Sequence, residues 1–157
     1  MPKFDRLLFD NGFAVGSTIY EDHYPGYGSQ NHIVITLTPS QDESLSIRAI
    51  VDTGAKWCII DPVIAEDWEK HFFNIYDPHE IVKIRGNEFK GIIAHANIAL
   101  NAASSGNDLV LTARFFIPHL ESHQIYAMPN FIGLDGMLNY MRFAIDPSEN
   151  VIYFGKR

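Results

Sequence analysis

Features that the sequence lacks exclude several classes of protein. Of its 157 residues only Cys58 is a cysteine, so no disulfide can form within the chain. The apolar neighbours of Cys58 predict that it is a small buried hydrophobic residue. A catalytic thiol needs an electropositive, partly exposed site instead. No stretch approaches the roughly 18 consecutive apolar residues of a membrane span, and no apolar segment with a cleavage site opens the chain. The sequence thus predicts a cytoplasmic protein with no membrane partner.

Basic residues are also scarce. Lys and Arg total 12 against 19 Asp and Glu, which gives a formal net charge of −7, and the basic residues form no run. The field that attracts phosphate backbones is therefore missing, and nucleic acid is not an expected partner.

The composition that remains is typical of one compact domain. Hydrophobic residues make up 46% of the chain and aromatic residues 13%, enough for a single core over residues 1–157. The first thirty residues mix apolar pairs with turn formers, which predicts short strands and loops that form an amino-terminal arm or edge strands.

Alternating apolar residues predict a mainly β protein. Residues 33–37 and 45–51 alternate on either side of a Pro-containing turn, which indicates a β-hairpin that runs directly into Asp52. Asp61 and Pro62 are typical of a helix start and predict a short helix to about residue 68. Further strands are expected at residues 81–84, 92–100, 109–117, 124–128, 143–145 and 151–154. A second helix of one or two turns is expected to end at about residue 140, and residues 72–76 are expected to be a piece of core.

The motif that carries chemistry is Asp52-Thr53-Gly54-Ala55 at the end of the predicted hairpin. A strand that ends in Asp-Thr-Gly can place a carboxylate at the mouth of a cleft, because glycine lets the backbone turn closely and threonine offers a hydroxyl to a neighbouring loop. The tripeptide is short, and a plain turn after a strand is the alternative interpretation.

A second element stands about eighty residues downstream, Asn130-Phe131-Ile132-Gly133-Leu134-Asp135. Together the two elements resemble the retropepsin-like aspartic peptidase family over residues 33–154. The resemblance implies a closed acid-protease β-barrel with one or two short helices. It also implies that Asp52 is the catalytic aspartate, that Thr53, Gly54 and Ala55 form the rest of its loop, and that Ile132 and Gly133 form the core behind it.

Between the two elements, glycines bracket a polar segment that is expected to form a mobile hairpin tip. By resemblance this tip corresponds to the flap that closes over substrate. Its residues are Gly86, Asn87, Glu88, Phe89, Lys90 and Gly91.

Two positions depart from the pattern of viral members of the family. Those members carry an Asp soon after Asp-Thr-Gly-Ala that pairs with an Arg after the later glycine, whereas this chain has Lys56 and Leu134 there. Because both partners are replaced, the whole ion pair is expected to be absent. Replacement of only one partner would leave a buried charge unpaired, which costs free energy.

Aspartic peptidase chemistry needs two carboxylates that share a proton. The chain contains no second Asp-Thr-Gly or Asp-Ser-Gly, so a second identical chain is expected to supply the partner across a two-fold axis, with an extended peptide or protein as substrate. In the family, terminal strands build much of the dimer contact. Residues 151–154 are therefore either an interface strand or simply a final core strand.

Neither a metal nor a cofactor is expected. His119 and His123 would share one face of a helix, but Pro118 and the surrounding β pattern argue against a helix, and no phosphate-binding or dinucleotide motif is present. The alternative to a peptidase is a non-enzymatic dimer of the same fold that binds peptides or mediates assembly.

Overall fold

The computed structural model describes residues 3–28, 31–77 and 80–157. Within them lie two α-helices, α1 (Lys3–Asp10) and α2 (Pro62–Asp67), and short 3₁₀ turns at Glu43–Leu45, Glu69–His71 and Leu138–Tyr140. The strands of the same residues are β1 (Gly16–Ile19), β2 (Val34–Pro39), β3 (Ile47–Val51), β4 (Cys58–Ile59), β5 (Phe73–Tyr76), β6 (Val82–Ile84), β7 (Asn87–Leu100), β8 (Ser105–Gly106), β9 (Leu109–His119), β10 (Phe131–Ile132), β11 (Met141–Asp146) and β12 (Val151–Lys156).

Six strands close into a barrel. Their order around the ring is β2-β3-β10-β4-β9-β7, and β7 returns to β2 through the pairs Thr38–Ala99 and Pro39–Ile98. The long antiparallel ladder between β7 and β9 forms most of one wall. The predicted fold class, a mainly β closed barrel, is confirmed.

A second sheet of four strands has the order β11-β12-β1-β8. Strand β12 lies between β11 and β1, and Ile152, Tyr153 and Phe154 are buried. Of the two roles left open for residues 151–154, the core strand is therefore confirmed. Helix α1 covers this sheet, with the Phe4 and Phe9 rings edge-on to Tyr153 at centroid distances of 5.4 and 6.2 Å.

The local signals around the motif are confirmed. Strands β2 and β3 form the predicted antiparallel hairpin, with Val34 opposite Ile50. The Asp61 side chain accepts a hydrogen bond of 2.8 Å from the amide of Val63, so it caps α2 as expected, and Pro62 occupies the first helical position.

Three other segments differ from expectation. The amino-terminal segment begins with helix α1, and its strand β1 is paired on both edges rather than lying at the sheet edge. Residues 124–128 form no strand; the Tyr126 ring is buried against Phe89 instead, and its hydroxyl donates to the carbonyl of Pro129 at 2.8 Å. Strand β5 is exposed rather than core, since in the described part of the chain it pairs with β7 alone, at the edge of the sheet; of residues 72–76, Phe72 packs against the core.

The parallel pairing of β3 with β10 brings the two sequence elements together. Asn130, which is 2% exposed, holds this junction through its side chain. Its Oδ1 accepts from the amide of Asp61 at 2.7 Å, and its Nδ2 donates to the carbonyl of Arg48 at 3.1 Å and to the Tyr24 hydroxyl at 3.3 Å. One buried amide thus ties the hairpin, the start of α2 and the amino-terminal segment to β10.

Candidate active site

Asp52 stands at the end of β3 in a backbone that is fixed on both sides. Its amide donates to the carbonyl of Ile132 at 3.0 Å, and its own carbonyl accepts from the amide of Ala55 at 3.1 Å. The carboxylate is half-buried, and Oδ1 accepts from the amide of Gly54 at 2.9 Å. The second oxygen, Oδ2, has no hydrogen-bond partner within the described residues. One oxygen is therefore positioned and the other is available to a second group.

The rest of the loop is more open than Asp52. Thr53 and Gly54 are exposed and Ala55 is half-buried. The Thr53 hydroxyl makes no hydrogen bond to any residue in the described ranges. The carbonyl of Ala55 accepts from the amide of Leu134 at 2.7 Å, which fastens the loop to the turn that follows β10.

Ile132 and Gly133 lie directly behind this loop, and both are buried. A methyl group on Gly133 would overlap the carbonyl of Trp57 and lie 2.8 Å from the carbonyl oxygen of Ala55. Only glycine fits where the two backbones cross this closely. The Gly133 carbonyl also accepts from the amides of Met137 and Leu138 at 3.1 Å, so the turn toward Leu138–Tyr140 starts at this crossing.

The two positions that depart from the viral pattern have separate environments. Lys56 donates to Glu80 Oε1 at 2.9 Å, and Leu134 is 39% exposed. The hydrogen bond to Glu80 is the main cause that raises the pKa of Lys56, with the charge of Asp135 as a further cause. The ammonium also lies 5.0 Å from the centre of the Trp57 ring. The edge of the site thus carries a different ion pair, on the protein surface.

The hairpin predicted as a mobile tip is present, but its turn is shorter than expected. Strands β6 and β7 pair from Val82–Phe89 to Ile84–Asn87, so only Arg85 and Gly86 form the turn. Both have positive φ, 49° and 85°, as a two-residue type I′ turn requires. Residues 87–91 belong to β7, where Phe89 is buried and Gly91 packs against the carbonyl of Ile117.

The hairpin rests on neighbouring segments. The Arg85 guanidinium lies 4.3 Å from the centre of the Tyr27 ring and 5.9 Å from that of Phe131. Gln124 Nε2 donates to the carbonyl of Glu88 at 3.0 Å, and the rings of Phe89 and Tyr126 meet edge to face at 5.8 Å. The contact between Arg85 and Phe131 joins the hairpin to β10. The next residue of β10, Ile132, accepts the hydrogen bond from the Asp52 amide through its carbonyl.

The other candidate chemistries have no comparable site. Cys58 is fully buried, and burial raises the pKa of its thiol to about 12 against a smaller lowering by a backbone hydrogen bond from Gly133. Such a thiol stays neutral near pH 7 and is a poor nucleophile. His119 ends strand β9 rather than lying on a helix with His123, and no three His, Cys, Asp or Glu side chains of the described residues gather in a metal-binding cluster. No helix in those residues is long and apolar enough to cross a membrane.

Several residues that support the site were not identified from the sequence. Asn130 was part of the second element, but its role as a junction was not foreseen, and Tyr24, Arg85 and Tyr126 were not singled out. Several of their partners lie far away along the chain, for example Tyr24 and Asn130, which are 106 positions apart, although Tyr126 also bonds to Pro129, three positions away. A buried asparagine directly before an apolar-apolar-Gly segment is the one signal that sequence offered.

We expect Gly133→Ala to damage the candidate site and the fold together. Because the added methyl group would push against two carbonyls, the free energy of unfolding should fall by about 3 kcal/mol. Gly12→Ala is the control: its surroundings are open, but its φ of 77° should cost about 1 kcal/mol. Urea unfolding of both variants and the parent measures the difference, and equal losses would contradict the close crossing at Gly133.

No profile of a known protein family matches the sequence, and no curated protein is detectably related to it. Among solved structures, the EIAV protease complexed with the inhibitor HBY-793 is similar, with a TM-score of 0.50 and 11% identity over 72% of this chain and 91% of that protein. A retropepsin-like aspartic protease from Rickettsia conorii aligns with a TM-score of 0.47 and 16% identity over 90% of this chain and 93% of that protein. The chain therefore has the fold of the retropepsin-like aspartic proteases.

Proposed function

We propose that this chain is an aspartic endopeptidase that works as a homodimer. The observation that carries the proposal is the geometry of Asp52. A short strand delivers the carboxylate to an exposed loop, Gly54 and Ile132 fix its orientation, and one carboxylate oxygen has no partner in the described part of the chain. A half-buried carboxylate with one free oxygen suits a group that activates water.

The reaction requires two such carboxylates. Like charges a few ångströms apart cannot both ionise, so the pair shares one proton. The ionised member accepts a proton from a water molecule, which attacks the peptide carbonyl, while the protonated member donates to the carbonyl oxygen. Collapse of the tetrahedral intermediate then breaks the C–N bond: the carboxyl group that took the proton of water gives it to the leaving amine, and the other carboxylate takes a proton from a hydroxyl of the intermediate, so the pair again shares one proton.

The second carboxylate comes, in this proposal, from Asp52 of an identical chain. The described residues place no other carboxylate of this chain in a matching loop, and the exposed Thr53 hydroxyl is without a partner there. Around a two-fold axis each loop meets its own copy, so the threonine hydroxyls can bond across the contact. The lone buried cysteine suits a site of action in the cytoplasm.

The β6–β7 hairpin is the proposed lid over an extended peptide. The contacts of its tip are cation–π and edge-to-face contacts and one exposed hydrogen bond from Gln124 to the carbonyl of Glu88, which are individually weak and can be exchanged for contacts with a substrate. An extended peptide bound beneath the hairpin would be shielded from water while the acid pair acts.

A second candidate is a dimer of the same fold that binds peptides or mediates assembly with little turnover. The four-stranded sheet bears on turnover, because β12 has no free edge with which to strengthen the dimer, and a loosely held pair of Asp52 carboxylates would bind peptides but cleave them slowly. The complete Asp52-Thr53-Gly54 loop favours the peptidase, and cleavage assays separate the two.

Asp52→Asn should abolish cleavage of a diverse peptide mixture between about pH 4 and pH 7, where a shared-proton pair titrates. The expected loss is at least about 10³-fold, because the amide can neither accept nor donate the shared proton. Asp67→Asn, an exposed position at the end of α2, is the matched control and should cleave like the parent. If Asp52→Asn cleaves at the parental rate, the aspartic mechanism is wrong.

Cleavage per chain should fall as the parent protein is diluted, because the site exists only in the dimer. The measurement is the initial rate per chain over a dilution series, with the dimer fraction followed by sedimentation in the same buffer. The two curves should coincide. A rate per chain that stays constant in a fully monomeric sample would contradict a shared site.

The hairpin should become protected when peptide binds. Asp52→Asn can be saturated with an intact peptide that the parent cleaves, and amide hydrogen exchange measured with and without it. Exchange in residues 83–88 is expected to slow by about tenfold or more as the hairpin closes. Residues 104–107, which include β8, are the internal control, and their exchange should not change. Unchanged exchange at 83–88 with peptide bound would mean that the hairpin is not a lid.

A further inference from the structure

Strand β3 presents alternate residues to two separate hydrophobic clusters. Ala49 and Val51 pack with the larger cluster, whereas Ile50 belongs to the smaller one. Because successive side chains of a strand point to opposite faces, Asp52, which continues the ladder, lies on the same face as Ile50. Phe131, the neighbour of Ile50 on β10, belongs to the same cluster. Ile50 and Phe131 therefore form an apolar surface next to the Asp52 carboxylate.

The β6–β7 hairpin lies on this apolar surface. Its inward-facing side chains are those of Val82, Ile84 and Phe89, and they pack in the same cluster as the two residues of the surface. Ile84, Phe89 and both residues of the surface are buried. Side chains packed at the density of a protein interior leave no room for a peptide main chain between them. An extended peptide can lie there only after the hairpin lifts.

The tip of this hairpin is held by residues 21–28, a strap between β1 and β2. The guanidinium of Arg85, at the tip, lies 4.3 Å from the centre of the Tyr27 ring. The Tyr27 amide donates to the carbonyl of Tyr24 at 3.1 Å, and the two tyrosine rings meet edge to face at 6.5 Å. Both tyrosines are half-buried, whereas the other residues of the strap are exposed. The strap thus meets the hairpin through an aromatic ring.

The strap is also fixed to the strands that position Asp52. Glu21 and Val34 exchange two backbone hydrogen bonds of 2.9 Å, and the Glu21 carboxylate accepts from Arg48 Nε at 2.8 Å. The Tyr24 hydroxyl accepts from Asn130 Nδ2 at 3.3 Å and donates to the carbonyl of Arg48 at 3.4 Å. These contacts fasten the strap to β2, β3 and β10. Lifting the hairpin away from these strands must therefore break its contact with the strap.

We infer that the strap is a built-in restraint on peptide entry: it holds the hairpin down on the apolar surface beside Asp52. The inference rests on the proposed function, in which peptide binds beneath the hairpin. A guanidinium over an aromatic ring at a partly exposed site favours the closed form by a factor of about two to five. The hairpin accordingly exchanges between closed and open forms, and peptide binds the open form alone. The open fraction sets the apparent affinity for peptide.

Amide hydrogen exchange of the chain without peptide tests the strap independently of cleavage. Tyr27→Leu removes the ring face next to the guanidinium, so exchange at residues 83–88 should become about twofold to fivefold faster. Arg85→Gln removes the same contact from the hairpin side and should act in the same direction. Phe13→Leu is the matched control, because it removes a ring 5.9 Å from the Arg142 guanidinium in the four-stranded sheet and should leave residues 83–88 unchanged. Parental exchange at residues 83–88 in both hairpin-contact variants would overturn the inference.

Steady-state cleavage of a peptide that the parent cleaves shows whether this restraint limits entry. At a protein concentration that maintains the dimer, Tyr27→Leu should lower KM by about twofold to fivefold and leave kcat unchanged, because the open fraction governs binding rather than chemistry. A higher KM or a lower kcat would mean that the strap helps to hold substrate, and would overturn the inference. Faster exchange at residues 83–88 without cleavage by any variant would support the hold of the strap on the hairpin and overturn the proposed peptidase.

Discussion

The candidate site depends on the parallel pairing of β3 with β10. Its backbone hydrogen bonds include one from the amide of Ile50 to the carbonyl of Asn130 and one from the amide of Asp52 to the carbonyl of Ile132. The paired strands are separated by about eighty residues, so forming the pair has a loop-closure cost in entropy that the surrounding barrel must offset. The Asn130 side chain contributes, because it satisfies the polar groups of three neighbouring segments at once. Loss of this junction would release the Asp52 loop without any change in the carboxylate itself.

The parts of the fold that sequence predicted are those set by local chemistry. Strict alternation identified the β2–β3 hairpin, and Asp61 with Pro62 identified α2, because a cap and a fixed φ act within a few residues. Helix α1 was missed because its stability comes from packing on Tyr153, far along the chain. The turn at Arg85 was missed because a positive φ is unusual for arginine.

The residues of the candidate site fall into the same two groups: those that local chemistry predicts, and those that depend on contacts with distant parts of the chain. Asp52 and Gly133 were identified by motif, since each has a local requirement that few residue types meet. The ion pair of Lys56 with Glu80 was not foreseen, because nothing in the sequence links two charges 24 positions apart. It is also on the surface, where such a pair contributes little to stability.

In the proposed enzyme, the four-stranded sheet links the stability of the separate chain to its activity. A retropepsin-like chain that contributes terminal strands to its partner gains a large interface but leaves strand edges open as a monomer. Here β11 and β1 pair with the two edges of β12 within one chain, and helix α1 covers the same sheet, which stabilises the monomer. Free energy gained in the separate chain is unavailable to the dimer, so the equilibrium moves toward monomers. A peptidase built this way would be inactive when dilute and active where the chain or its substrate is concentrated.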